Sequence, residues 1–353
     1  MNMKKWLDDM IASPVKKAMP ILSFPAIQLM RITVKDLIGD SVTQATAMAA
    51  VAQRVDSAAA LGPMDLSVEA ECFGSAIRFA EDEVPTVIGS TVSCKEEAER
   101  LGVPKVGAGR TQIYVDAIQK ACRMIQGRPV LAGAIGPFSL AGRLMDVTEI
   151  LYACYDMPKT VHMVLEKATS FIISYVQALA AAGANGVVIA EPLAGLLSPA
   201  LSAAFSAGYV RRIVEAVQTE SFAVVYHNCG NGTPAMVDEI LSTGSMAYHF
   251  GNAVNMAEML EKMPGHVVCM GNIDPAGQFK NGTAASVREA TLALLNSCAK
   301  YPNFVISSGC DIPPLAMWEN IDAFFQAVSD FYTGGHGIAL PDDFSRYGQS
   351  AFA

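Results

Sequence analysis

Eight short apolar runs, each followed by a helix-length segment, constrain this chain more than any other feature. The runs are 18–29, 64–68, 129–135, 186–190, 222–226, 246–250, 266–270 and 304–307. Most are rich in Val, Ile or Ala and stop at Gly, Pro or Asn. A continuous apolar run without alternation suits a parallel strand buried on both faces. Helical periodicity is clearest in 157–182 (with Asp156 as a cap), 199–218, 233–242 and 284–300. Eight β-then-α units predict an α/β fold of the (β/α)8 TIM-barrel type. The rival is a doubly wound open sheet, which normally carries a phosphate loop. No G-x-G-x-x-G or Walker pattern follows the first run.

The 353 residues exceed a prior of roughly 150 per domain, but α/β barrels often run longer as one unit. The expected organisation is a helical N-terminal extension over 1–17, one barrel over 18–333 and a tail over 334–353. The helical stretch 2–12 is placed to cap the barrel bottom. The tail has no period and reads either as a frayed end or as a subunit-contact arm, which keeps a homodimer open. Residues 67–110 are long for one connection and predict an excursion over the barrel top.

With 52% hydrophobic and 17% charged residues, the chain can bury a large core and is not disordered. A net charge of −9 argues against nucleic-acid and anionic-membrane partners, both of which need basic surfaces. No apolar run reaches the ~20 residues of a membrane helix. Residues 1–10 are charged and lack an apolar h-region, so no signal peptide is expected. Eight cysteines in a long, core-rich chain of this kind read as reduced thiols and a cytoplasmic protein.

Active sites of such barrels sit at the C-terminal ends of the strands. There the sequence places Glu69 and Glu71, then Gly136-Pro137-Phe138-Ser139 with Arg143 beyond, then Glu191. Further on come His227-Asn228-Cys229-Gly230-Asn231, His249, Gly271-Asn272-Ile273-Asp274-Pro275 and Ser307-Ser308-Gly309-Cys310-Asp311. The sharpest set is His227, Cys229 and Cys310. One imidazole and two thiolates make a three-ligand zinc site with an open fourth position. Zinc with two thiolates and a neutral imidazole is formally neutral. It lowers the pKa of an incoming thiol and leaves the sulfur nucleophilic, which suits alkyl transfer to sulfur better than hydrolysis. Taken alone, an H-x-C pair also arises by chance as two ordinary strand-end residues.

At these residues the chain resembles the uroporphyrinogen decarboxylase superfamily, and within it the methylcobamide:coenzyme M methyltransferases. The resemblance spans about 15–333. Its motifs are Met64-Asp65-Leu66-Ser67-Val68-Glu69-Ala70-Glu71, Gly136-Pro137-Phe138-Ser139-Leu140-Ala141, Leu197-Ser198-Pro199, the His227–Asn231 and Gly271–Pro275 segments, and Gly309-Cys310. It implies zinc on His227, Cys229 and Cys310. It also implies a thiol acceptor, coenzyme M-like or homocysteine-like, activated as a zinc thiolate. The thiol takes a methyl group from a methyl-corrinoid (cobalamin) carried by a separate corrinoid-binding protein. This chain has no D-x-H-x-x-G cobalamin motif of its own. Cobalamin-independent methionine synthase resembles the same barrel and has a similar site.

Two departures matter. The decarboxylases carry Arg-Gln-Ala-Gly-Arg after the first strand. Here the segment reads Phe24-Pro25-Ala26-Ile27-Gln28-Leu29-Met30-Arg31, with Arg31 as the remaining anion contact. The zinc relatives often place a Glu at strand six, where this chain has Tyr248-His249-Phe250-Gly251. His249 is then a candidate ligand or base, or a plain core histidine. Glu191 is a candidate catalytic group, a partner of a ligand, or a solvated strand-end carboxylate. Glu69, Glu71, Asn231 and Asp274 are candidate cofactor-site residues. For Glu69 or Glu71 the alternative is a helix N-terminal charge, and for Asp274 a turn former. The competing functions are a metal-independent decarboxylase and a non-catalytic zinc or corrinoid carrier.

Overall fold

The structure, a computed structural model, describes residues 1–334. Nine strands are present among them. They are β1 (Ala60–Leu61), β2 (Ala76–Arg78), β3 (Thr86–Ile88), β4 (Val130–Ile135), β5 (Gly186–Ala190), β6 (Ala223–Asn228), β7 (Ala247–Phe250), β8 (Val268–Ile273) and β9 (Phe304–Ser308). Seven form one all-parallel sheet in the order β1-β4-β5-β6-β7-β8-β9. β2 and β3 pair as an antiparallel hairpin inside the long connection that follows β1. Helices separate the sheet strands, as a parallel sheet covered on its outer face requires.

The first apolar run is not a ladder strand. Residues 18–23 run extended and Ala26–Met30 is already helical. These residues still fill the gap between β9 and β1. Met19 N–H donates to Ile306 O at 3.0 Å, and Ala58 N–H donates to Ala18 O at 2.9 Å. The other links run through side chains: Ile21 N–H donates to Ser308 Oγ at 3.0 Å, and the Ser307 hydroxyl donates to Met19 O at 2.8 Å. Pro20 has no N–H to give, so a regular ladder cannot form there. The eighth stave of the barrel is therefore an extended segment joined to β9 largely by serine hydroxyls.

The second run also shifts. The strand is Ala60–Leu61, and 64–67 is a loop ahead of the helix Val68–Cys72. The predicted helix 157–182 is present as Pro158–Ala181, but Pro158 starts it and Asp156 does not cap it. The stretch 233–242 is a 3-10 turn followed by Val237–Leu241.

Side chains alternate along each strand, so one parity faces the barrel interior. Val188, Ala190, Val225, Ala247, Met270 and Val305 share an interior cluster with Leu61 and Leu131. The opposite parity, such as Val187, Ile189, Val224, Tyr226 and Ile306, packs under the helices. The helix Met3–Ala12 plugs the N-terminal end of the barrel. Met3 and Leu7 join the interior cluster, and Met3 N–H donates to Glu220 O just ahead of β6. The predicted tail begins at the last described residue, and 335–353 lie outside the described residues. Among the described residues, no helix is long and apolar enough to cross a membrane.

Candidate metal centre

Interior parity carries two histidines into the barrel. Ala223 and Val225 face inward on β6, and His227 follows two residues later. Ala247 faces inward on β7, and His249 follows likewise. The two are register partners across the ladder. Their rings meet, with His227 Nδ1 2.8 Å from His249 Nδ1. His249 Nε2 lies 2.7 Å from Ser307 Oγ, which is inward by the same parity on β9. Both histidines are 2% exposed. Burial and the neighbouring His227 hold the His249 pKa well below the usual imidazole range, so it stays neutral.

Two cysteines arrive from loops. Cys229 lies just past β6, in a turn pinned by Asn228. The Asn228 Oδ1 accepts from Gly230 N–H and the Thr233 hydroxyl, both at 3.0 Å, and its Nδ2 donates to Tyr226 OH at 3.1 Å. Cys310 lies just past β9. Its Sγ is 3.6 Å from His227 Nε2. The donor atoms of His227, Cys229 and Cys310 all lie within 4.8 Å of one another. Close approach of the loops requires glycine: a Cβ on Gly251 would sit 2.4 Å from Cys229 Cα. The closeness of the two thiols brings the Cys229 pKa down to about 7 and, with burial, sends that of Cys310 up to about 12. The pair thus releases its first proton near neutrality.

This geometry fits zinc. A tetrahedral ion with Zn–S of about 2.3 Å and Zn–N of about 2.0 Å sets the N···S edge at roughly 3.5–3.6 Å. The Cys310–His227 separation of 3.6 Å matches that edge. The set is soft, half-buried at the cysteines and placed at the C-terminal pole.

The other sequence candidates are placed elsewhere. His249 does not join the donor set, because both ring nitrogens are taken by His227 and Ser307. Glu191 is fully buried and caps the helix Pro137–Met145 from across the sheet. It accepts from Phe138 N–H and Ser139 N–H at 2.9 Å and from the Ser139 hydroxyl at 2.7 Å. It is thus neither a solvated carboxylate nor free to act on a substrate. Glu71 accepts from Arg110 Nε at 2.7 Å. Asp274 caps the segment Pro275–Lys280 through Ala276 and Gly277 N–H at 2.9 Å. Asn231 is exposed on the loop beyond Cys229, and Arg31 is exposed in the left-handed region at φ 55°.

Glu69 is 1% exposed, with Oε1 accepting from Ile135 N–H at 3.0 Å and Oε2 buried without a partner. Burial raises its pKa from 4.5 to about 7. Between those values the folded chain keeps a proton that the unfolded chain has lost, so this group's contribution falls as pH rises. The loss should be on the order of 3 kcal/mol between pH 4.5 and 7. Glu69→Gln should flatten that part of a urea-unfolding profile against pH. An unchanged slope would mean that Glu69 does not titrate in this window.

Arg110, not singled out in the sequence, and Asp311 also stand at this pole. Arg110 donates to Asp65, to Glu71 and, at 2.8 Å, to Ser67 Oγ, and it lies under the Phe79 ring. Asp311 follows Cys310 and has a buried Oδ1 without a partner. Ser307, with Ser308 beside it, is among the polar residues that the sequence places at that strand end, but its role there was not legible.

A family model for uroporphyrinogen decarboxylase (URO-D) matches residues 6–331. The uroporphyrinogen decarboxylase of Vibrio cholerae is 26% identical over 287 residues, 75% of this chain and 77% of its own. The methylcobamide:CoM methyltransferase MtbA of Methanosarcina acetivorans is 26% identical over 283 residues, 76% of this chain and 78% of its own. A solved methyltransferase from Methanosarcina mazei has a TM-score of 0.82 at 21% identity, over 94% of this chain and 99% of that one. A B12-independent methionine synthase from a Shewanella species has a TM-score of 0.62 at 12% identity, over 90% and 96% of the two chains. At these identities the two structures speak for the TIM-barrel-like fold. Because the family model takes in nearly all the described residues, the chain belongs to the uroporphyrinogen decarboxylase (URO-D) family.

Proposed function

We propose that the chain is a zinc-dependent methyltransferase that moves a methyl group from a methylated corrinoid protein to a small thiol. The observation that carries this reading is the convergence of His227, Cys229 and Cys310 at the barrel's C-terminal pole. The relative named as a methylcobamide:CoM methyltransferase supports the donor and acceptor classes. When bound, zinc would lower the pKa of the acceptor thiol and keep its sulfur electron-rich at neutral pH.

The chain's own residues supply position and environment. His227, Cys229 and Cys310 would hold the ion with three donors and leave the acceptor thiol room to bind. The first proton of the cysteine pair leaves near neutral pH, so one soft ligand is ready without a strong base. The barrel mouth then aligns the thiol with a methyl group brought by the corrinoid protein. All eight cysteines are free thiols, which supports a reducing, cytoplasmic setting.

The metal-independent decarboxylase reading draws on the relatives named uroporphyrinogen decarboxylase. It leaves the three converging soft donors without a task. Asp65, an aspartate at the strand-end pole, is already held by Arg110, Tyr114 and Ser67.

The test is metal content by mass spectrometry on protein made with ample zinc, beside demethylation of methylcobalamin by coenzyme M or homocysteine. About one zinc per chain with thiol-dependent demethylation is the expected result. Metal-free protein that releases carbon dioxide from uroporphyrinogen would replace this reading with the decarboxylase.

A further inference from the structure

With His249 neutral, the proton positions around His227 follow from hydrogen-bond counting. Ser307 Oγ lies 2.8 Å from Met19 O and 2.7 Å from His249 Nε2. A backbone carbonyl only accepts, so the single hydroxyl proton points at Met19. Were it turned to His249, two oxygens would face each other at 2.8 Å with no hydrogen between them. His249 Nε2 must then carry the proton it shares with Ser307. A neutral imidazole has one N–H, so His249 Nδ1 is an acceptor. The 2.8 Å contact between the two Nδ1 atoms then needs its proton from His227. That leaves His227 Nε2 as the ring nitrogen with a lone pair, and it is the one facing Cys310 at 3.6 Å.

We infer that His249 and Ser307 are positioning residues that fix His227 as its Nδ1–H tautomer and so present Nε2 to the metal. This deepens the zinc reading and rests on it for its purpose, though not for its geometry. The chain of donors ends on Met19 O, which is held in place because Met19 N–H is bonded to Ile306 O. The irregular first stave thus has a use: its carbonyl anchors the proton order of the site. A metal-bound histidine usually has its second nitrogen fixed by a carboxylate, backbone carbonyl or water. Here a neutral imidazole relays that fixation from a carbonyl and adds no charge to a site that two thiolates and a dication already balance.

Nitrogen-15 NMR of the histidine side chains in zinc-free wild type tests the order directly. The expected spectrum has His227 protonated on Nδ1 and His249 on Nε2. A His227 protonated on Nε2 would overturn the inference. The second measurement is zinc affinity by chelator competition. Ser307→Ala and His249→Phe should each weaken zinc binding by roughly 10–100-fold. Far-ultraviolet circular dichroism should stay at the wild-type level, and the cobalt(II)-substituted site should show altered thiolate-to-metal bands. Folded variants with wild-type affinity and tautomers would also overturn the inference. A wild type that takes up no zinc yet shows the expected tautomers would remove the zinc reading and leave the proton order standing.

Discussion

Cys310→Ala is expected to abolish stoichiometric zinc binding and, with it, thiol-dependent demethylation of methylcobalamin. Three donors within 4.8 Å of one another are the minimum that leaves one position open on a tetrahedral ion. Removing Cys310 leaves an imidazole and one thiol and takes away the neighbouring thiol that holds the Cys229 pKa down. The Cys229 pKa should then rise from about 7 towards the ordinary thiol range. The remaining two ligands therefore bind worse for two reasons, fewer donors and a less ionised sulfur. Cys94→Ala is the control, because Cys94 lies ahead of the helix Lys95–Arg100 and outside the donor set. It should keep about one zinc per chain. Retention of zinc and of demethylation by Cys310→Ala would show that the ion sits elsewhere.

The convergence of His227, Cys229 and Cys310 was legible because it follows two local rules. Strand periodicity says which residue of a β-strand faces inward, and barrels expose the C-terminal ends of their strands. His227 satisfies both once the run ending near Tyr226 is read as a strand, and Cys310 satisfies the second, in the loop just past β9. The same periodicity places His249 and Ser307 in the barrel, but it cannot say which nitrogen meets which hydroxyl. Glu191 shows the limit more sharply. Its strand-end position is plain in sequence, whereas its partners lie at the start of a helix one β/α unit earlier, at Phe138 and Ser139. The first two staves were misplaced because their apolar runs end in segments that leave the sheet. One turns helical after Pro25, and the other is the loop from Met64 onward, after a strand of only two residues. Tertiary closure makes a stave of the first, with Ser307 and Ser308 supplying bonds that backbone pairing does not.

Arg110→Met should destabilise the chain by about 3–5 kcal/mol in urea unfolding, the typical cost of stripping one partner from a buried ion pair. The guanidinium is 9% exposed and the Asp65 side chain 0%. Asp65 Oδ1 accepts from the Ser67 amide at 3.0 Å and hydroxyl at 2.6 Å, and Oδ2 accepts from Tyr114 OH at 3.0 Å and from Arg110. Without Arg110 those neutral donors remain, but the carboxylate has no opposite charge in a site closed to water. Glu71, at 24% exposure, can turn to solvent and contributes less. Arg110→Met combined with Asp65→Asn should recover part of the loss, since the uncompensated charge is gone, and the non-additivity measures the coupling. The same pair of variants bears on function. A cost below about 1 kcal/mol for Arg110→Met would be that of an exposed ion pair. Asp65 would then stand in water at the barrel mouth, free to bind a substrate, and the case against a decarboxylase would lose one of its supports. A full-sized cost keeps Asp65 inside the framework that holds the loop after β1 against the helix Thr111–Met124, and leaves the proposed zinc ligands as the reactive groups of the pole.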